Sequence, residues 1–406
     1  MSWPRIKLAD VCEIRSGKRL PKGHELTKIK TNHIYIRGND IRDGKVRSEN
    51  NWYINNETFS RISRYIVNTN DICLTIVGNI GDVGIVPQNL NGANLTENAV
   101  KLIHLKNTIP QFLKYALLAP NIQTQMKNFA AGAAQPKLGL YKVKEISIPL
   151  PSLPNQQKIS SILSAYDDLI ENNTRCIKIL EEMAQTIYKE WFVNFRFPGY
   201  EKVRFVDSSL GKIPEGWEPV KFSDAIFINP LMRIQKEIEK PYVSMADLSA
   251  SSMLISTTEY RTGNNGSKFQ NGDTLFARIT PCLENGKTGF VQFLSLSIPY
   301  GIGSTEFIVM RSKTLTPEFV YMLARNEDVR QNAISSMTGA SGRQRVQNEC
   351  FDKFMFSQPD SDSLSKFTNI VAPIFNEIHL LSNKNQNLRK TRDLLLPKLM
   401  SGEVEV

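Results

Sequence analysis

The sequence predicts an α+β chain. Two similar mixed domains of short strands and helices are separated by two long antiparallel, coiled-coil-like helices, with a pseudo-two-fold relation between the halves. Two observations carry this reading. The first is an internal duplication: Trp3-x3-Lys7-Leu8-Ala9-Asp10 recurs as Trp217-x3-Lys221-Phe222-Ser223-Asp224, and Tyr35-Ile36-x3-Asp40-Ile41 recurs as Tyr242-Val243-x3-Asp247-Leu248. Pro110-Gln111-Phe112-Leu113 returns as Pro317-Glu318-Phe319-Val320, and Ala131-Gly132-Ala133-Ala134 as Thr338-Gly339-Ala340-Ser341, all in the same order. A period this long is not that of a solenoid. The second observation is a long stretch of helical, heptad-like patterning at the end of each half.

Residues 1–152 read as the first domain. Ile34–Ile36 and Asp71–Val77 are β-branched, apolar and bounded by Gly and Asn, which marks strands. Gly78–Gly84 is a glycine-punctuated turn into a further strand at Ile85-Val86. Pro110–Met126 reads as one helix, and Ile146–Pro151 as a strand closed by prolines.

Residues 153–195 form the first long helix. No Pro or Gly interrupts Asn155–Phe192. Ile162, Tyr166, Leu169, Asn173, Cys176, Leu180, Met183 and Ile187 alternate in steps of four and three, the stripe of a helix packed lengthwise on another. Asn173 on that stripe costs stability but sets register, so Asn173→Leu is expected to stabilise the protein. Residues 196–360 hold a linker and the second domain, which repeats the strand at Asp273–Ile279 and the helix after Pro317. Residues 361–406 form the second long helix. There Ile374, Leu381, Leu388 and Leu395 lie seven apart, Pro373 is a potential kink, and Gly402 is the stop.

Composition narrows the function. Of 406 residues, 41% are hydrophobic, enough for each half to bury its own core. Apolar runs fall short of the ~18 residues that span a bilayer, and the N-terminus lacks a signal-peptide pattern, so a cytoplasmic protein is expected. Five scattered cysteines and four scattered histidines fit neither a disulfide framework nor a metal site. Net charge is +10, which suits a polyanionic partner. Between Arg5 and Arg47 twelve basic residues meet five acids. Two similar domains can grip a partner with two similar halves, and duplex DNA is the first candidate.

Five segments then carry a resemblance. Cys12–Pro21, Ala131–Leu138, Ile148-Pro149-Leu150-Pro151-x5-Gln157-x-Ile159, Gly211–Trp217 and Leu394–Gly402 follow one another in the order seen in type I DNA restriction–modification specificity subunits, and nearly the whole chain resembles that family. The second helix entry, Gln358-Pro359-Asp360-Ser361-Asp362, departs from the motif. The resemblance implies a non-catalytic subunit in which each target-recognition domain reads one half of an interrupted double-stranded DNA target. It also implies that the helices dock two methyltransferase subunits, and that restriction/translocase subunits join the full complex. S-adenosylmethionine, ATP and Mg would then reside on the partner subunits, with no cofactor in this chain.

The chemistry agrees. The chain lacks an Asn-Pro-Pro-aromatic motif for a flipped adenine and a GxxxxGK[ST] phosphate loop. Asp40 with Asp43-Gly44-Lys45 faintly suggests a nuclease set but reads better as a turn. A stand-alone nuclease with its own recognition domains, or a coiled-coil protein adaptor, are the alternatives. Arg and Lys can donate to guanine, and Asn and Gln can pair with adenine. In the first domain Lys18, Arg19, Lys22, Arg37, Asn39, Arg42 and Asn79 are the candidate DNA-binding residues. In the second they are Arg233, Lys236, Arg261, Asn264, Asn265, Lys268, Arg278, Lys287, Arg343, Gln344 and Arg345. Replacing Arg343, Gln344 and Arg345 together with Ala is expected to weaken DNA binding and flatten its salt dependence.

Overall fold

The computed structural model describes residues 3–47, 49–131, 136–340 and 342–406. Gly132, Ala133, Ala134 and Ser341 of the duplicated small-residue segments, and Gln135 beside them, lie outside the described residues. The chain divides into two compact units, residues 1–170 with 387–406, and residues 171–386.

The first unit is built on a six-stranded sheet. Its order is Glu13–Ser16, Ala99–Ile103, Ile72–Thr75, Val83–Ile85, Gly44–Val46 and Ile41–Arg42. Asp43 and Gly44, with φ of 55° and 79°, close the hairpin in which Arg42 pairs with Lys45. Asp43 also binds Arg47 at 2.6 Å. The Asp-Gly-Lys segment is therefore turn chemistry. A separate three-stranded sheet has the order Trp52–Ile54, His33–Ile36 and Asn94–Leu95. The helix expected over Pro110–Met126 is two helices, Pro110–Leu118 and Pro120–Ala130. Pro120 forces Ala119 out of the helical region, to ψ 138°.

The second unit repeats this plan. One sheet has the order Ile226–Ile228, Phe307–Ser312, Thr274–Ala277 and Thr288–Phe290. The other has Glu259–Arg261, Lys240–Val243, Tyr300–Gly303 and Ser267–Gln270. The duplicated tyrosines occupy matching places. Tyr35 and Ile36 run parallel to Asn94 and Leu95, as Tyr242 and Val243 run parallel to Ile302 and Gly303. The duplicated aspartates close the turns that follow: Asp40 accepts from the Arg37 amide at 2.8 Å, and Asp247 from the Ser244 amide at 2.6 Å. Their recurrence is structural.

The first long helix runs Leu153–Tyr188 and continues as a π-turn over Lys189–Val193. The second runs Ser361–Ser401, unbroken through Pro373, and Gly402 follows it with φ 76°. Gln156 secures the first helix: its amide donates to the Asn107 and Pro151 carbonyls, each at 2.9 Å, and its Oε1 accepts from Ile109. The second entry lacks that glutamine, and Asp360 caps the helix by accepting from the Ser363 amide at 2.7 Å.

Within each unit the two helices pack antiparallel. In the first, Ile159 and Leu163 share a core with Leu396, Leu399 and Met400, and the Trp3 indole donates to the Leu399 carbonyl at 2.9 Å. In the second, Phe192 lies 4.9 Å from Phe367 and 4.8 Å from Phe319, so Trp191 and Phe192 are core residues. The stripe needs one correction. Ile162, Leu169 and Met183 are 38%, 46% and 48% exposed, while Leu163, Ile170, Ile177 and Ala184 are buried. Two apolar series seven apart run one residue, ~100°, out of phase, and packing selects the later one. Tyr166 and Leu388 are half-buried, Leu180, Ile187, Ile374 and Leu381 pack against the second core, and Leu395 packs against the first.

Polar pairs punctuate these seams. Asn173 and Asn385, 5% and 3% exposed, face each other, and the Asn173 amide donates to Asn385 Oδ1 at 2.9 Å. This corrects the expectation for Asn173→Leu, because the single change removes the donor to the Oδ1 of buried Asn385. We expect it to lower stability by about 1–3 kcal/mol. Asn173→Leu with Asn385→Leu should recover the loss. A single variant with an unchanged urea midpoint would contradict this account.

In the first unit, Asp167 accepts from the Tyr115 hydroxyl at 2.6 Å and from Arg392 at 2.7 Å, with the Lys114 ammonium at 3.4 Å. Burial opposes its ionisation, but Tyr115, Arg392 and Lys114 outweigh burial and hold the carboxyl below the usual carboxylate range. Asp167 therefore stabilises fully above the unfolded pKa of about 3.9, and that contribution is lost as pH falls through the lower folded value. Asp167→Asn should cost roughly 3 kcal/mol at neutral pH and flatten the loss of stability below pH ~4, read from urea unfolding at several pH values.

Candidate nucleic-acid interface

The site in the first unit starts from a glycine. A Cβ on Gly17 would lie 2.0 Å from the Thr96 carbonyl oxygen, so only glycine lets the chain pass here. Gly17 donates to the Ala99 carbonyl at 3.0 Å and Lys18 to the Leu95 carbonyl at 2.8 Å. The Tyr35 hydroxyl donates to the Lys18 carbonyl at 2.8 Å. These bonds fix Arg19 beside Glu97, to which its Nε donates at 2.9 Å.

A cleft of about 430 Å³ opens there, lined by Arg19, Arg37, Asn39, Asn79, Glu97 and Asn98 among others. Four of the seven residues singled out in the first domain thus share one concavity. Arg37 is held by both Asp40 oxygens, at 3.1 and 2.7 Å, and lies 5.1 Å from the Trp52 ring centre. Lys18, Lys22 and Arg42 are exposed but do not line the cleft. The Lys18 ammonium sits 5.6 Å from the Tyr65 ring centre.

The second unit brings its residues together in two places. The Gly263 amide donates to the Lys236 carbonyl at 2.7 Å and its carbonyl accepts from the Lys240 ammonium at 2.8 Å, which joins the Lys236 loop to that of Asn264 and Asn265. Arg261 binds Glu259 and stacks 3.4 Å from the Tyr242 ring centre. Arg233, Lys236 and Asn265 are exposed, while Asn264 and Lys268 are half-buried.

The other place is the strand-like pairing of Ile279 with Arg345 and of Thr338 with Arg345. Here Arg345 donates to Glu306 through Nε, at 2.9 and 3.0 Å, and through a terminal nitrogen at 2.6 Å. Arg278 donates to the Val346 carbonyl at 3.0 Å and Lys287 to the Met245 carbonyl at 2.8 Å. Both therefore frame loops. The backbone of Gln344 exchanges hydrogen bonds with Thr280. Arg343 is exposed on the turn.

Sequence reasoning missed Glu97 and Glu306. The signal was present: Thr96-Glu97-x-x-Val100 recurs as Thr305-Glu306-x-x-Val309. A search for basic and amide donors passes over acids. Among the described residues no cluster of His, Cys, Asp and Glu could hold a metal ion, and no helix is long and apolar enough to cross a membrane.

Comparison with known proteins places this geometry. The family described as "Type I restriction modification DNA specificity domain" matches residues 2–182. The MjaIX specificity subunit of Methanocaldococcus jannaschii is 27% identical across 100% of this chain and 94% of its own length. Residues 2–182 thus match a type I restriction–modification DNA specificity domain, and the whole chain is similar to a type I restriction enzyme specificity subunit. The HindI specificity subunit of Haemophilus influenzae is 22% identical over 73% of this chain and 78% of its own. The crystal structure of the S subunit from M. genitalium shares the fold, with a TM-score of 0.58 over 98% of this chain and 96% of that one, at 15% identity.

The geometry separates Arg343, exposed on its turn, from its neighbour Arg345, held by Glu306. Arg343→Ala should lower the slope of log K against log salt by about one if it meets a phosphate. Titration of a duplex at several salt concentrations checks this, and an unchanged slope would remove Arg343 from the interface.

Proposed function

We propose that each sheet-rich unit reads one part of an interrupted, double-stranded DNA target for a type I restriction–modification complex. The chain is its DNA-specificity subunit and carries no catalytic role. The observation that supports the two-part reading is the duplication of the recognition apparatus. Equivalent strands in the two units lead into equivalent carboxylates, Glu97 and Glu306, and each carboxylate holds an arginine; arginine donors distinguish bases in the major groove.

The long helices offer a surface for partner subunits. Ile162, Leu169, Ile179 and Met183 on the first helix, and Ile370, Leu380 and Leu394 on the second, are large apolar residues left exposed by the pairing. Two methyltransferase subunits dock there in this reading, and restriction/translocase subunits join through them. S-adenosylmethionine belongs to the methyltransferases, and ATP and Mg to the translocases. The complex acts on DNA in the cytoplasm.

Exchange of residues 1–152 for those of another specificity subunit tests the assignment. Methylated adenines are then mapped across the genome of a host that expresses the hybrid with its partners. One half of the methylated motif should change and the other persist. A motif altered in both halves, or in neither, would overturn the division of labour.

A further inference from the structure

The two carboxylates that face the reading arginines are not where electrostatics alone would put them. A surface that approaches phosphates gains from cations and loses from anions. Yet Glu97 lies in the cleft of the first unit and Glu306 at the equivalent place in the second, each one residue after a threonine and three before a valine. Both enter just after the strand that runs parallel to the duplicated tyrosine. Each holds an arginine, and the two arginines come from unrelated parts of their units. Arg19 arrives from the segment after Gly17, whereas Arg345 arrives from the segment after the second unit's small-residue turn.

Stability does not account for this arrangement. Arg19 and Arg345 have side chains 84% and 46% exposed, and ion pairs that open to solvent contribute little. The bonding pattern is more informative. Arg19 gives Nε to Glu97, and Arg345 gives Nε and one terminal nitrogen to Glu306. In both cases the carboxylate takes the side edge of the guanidinium. The other edge, with hydrogens on both terminal nitrogens, remains to make two parallel bonds. That fork matches O6 and N7 of guanine.

We propose that Glu97 and Glu306 are positioning residues for DNA reading: each orients one arginine, Arg19 or Arg345, so that its free fork meets a base edge, one in each half of the target. The inference rests on the DNA-reading assignment above and extends it to the residues that decide specificity. Each carboxylate lowers general affinity for the DNA backbone and raises discrimination between bases, because it removes the rotational freedom that would let the arginine settle on a phosphate.

The test uses the chain assembled with its methyltransferase partners, the target duplex taken from genome methylation mapping, and a scrambled duplex of equal length at one salt concentration. Glu97→Gln should weaken target binding at least tenfold while binding to the scrambled duplex holds or rises. Tolerance of base substitutions should widen in one half of the target only. Glu306→Gln should do the same in the other half. In an Arg19→Ala background, Glu97→Gln should add no further loss. A target-to-scrambled ratio within twofold of the unaltered complex would overturn the proposal and leave the DNA-reading assignment standing. Equal losses on both duplexes with a lowered Tm would assign the glutamates to folding instead. A further loss from Glu97→Gln without Arg19 would make the glutamate itself the reader and overturn a positioning role. Equal binding of both duplexes by the unaltered complex would remove the DNA-reading assignment, and the proposal with it.

Discussion

The core of the first unit is closed by residues from the far end of the chain. Leu396, Leu399 and Met400 pack with Phe112, Ile159 and Leu163, and the Trp3 indole grips the Leu399 carbonyl. A fully buried Leu contributes about 2 kcal/mol or more, so the first unit does not reach its native core until the last helix is present. The second unit has the corresponding need within its own segment, where Tyr188, Trp191 and Phe192 meet Phe319 and Phe367. Helix pairing is thus part of each fold and not an attachment between finished domains.

Apolar stripes alone would allow those helices to slide by a heptad. The buried polar contacts oppose sliding, because each has one register in which its groups are satisfied. Asn173 meets Asn385 in the second unit. Asp167 meets Arg392, Tyr115 and Lys114 in the first, which also ties the helix seam to the helix beside the sheet. Glu181, 7% exposed, accepts from the Ser252 hydroxyl and the Met253 amide and so anchors a loop of the second unit to the same helix. Burial pushes the Glu181 carboxyl up, against the pull of those two donors.

The proposed reading surfaces rest on this frame through backbone more than through side chains. Gly17 passes against Thr96, and the Tyr35 hydroxyl holds the Lys18 carbonyl. In the second unit Arg278 and Lys287 each give one hydrogen bond to a backbone carbonyl, of Val346 and Met245. A donor that satisfies a carbonyl builds the site, and that role rests on one hydrogen bond that composition does not reveal.

The duplication, the two long helices and the family resemblance were legible in the sequence, because repeated residues and heptad spacing are properties of order along the chain. Clustering of Arg19, Arg37, Asn39 and Asn79 was legible only as a list of suitable donors. Tertiary structure decided the rest. It chose Leu163, Ile170 and Ile177 over Ile162 and Leu169, because two stripes one residue apart are equivalent until a partner helix covers one of them. It split the helix at Ala119, turned Arg278 inward, and set Glu97 and Glu306 against arginines 78 and 39 residues away. Local order carries periodicity, but which donor finds which acceptor depends on contacts that exist only once the sheets and helices have closed.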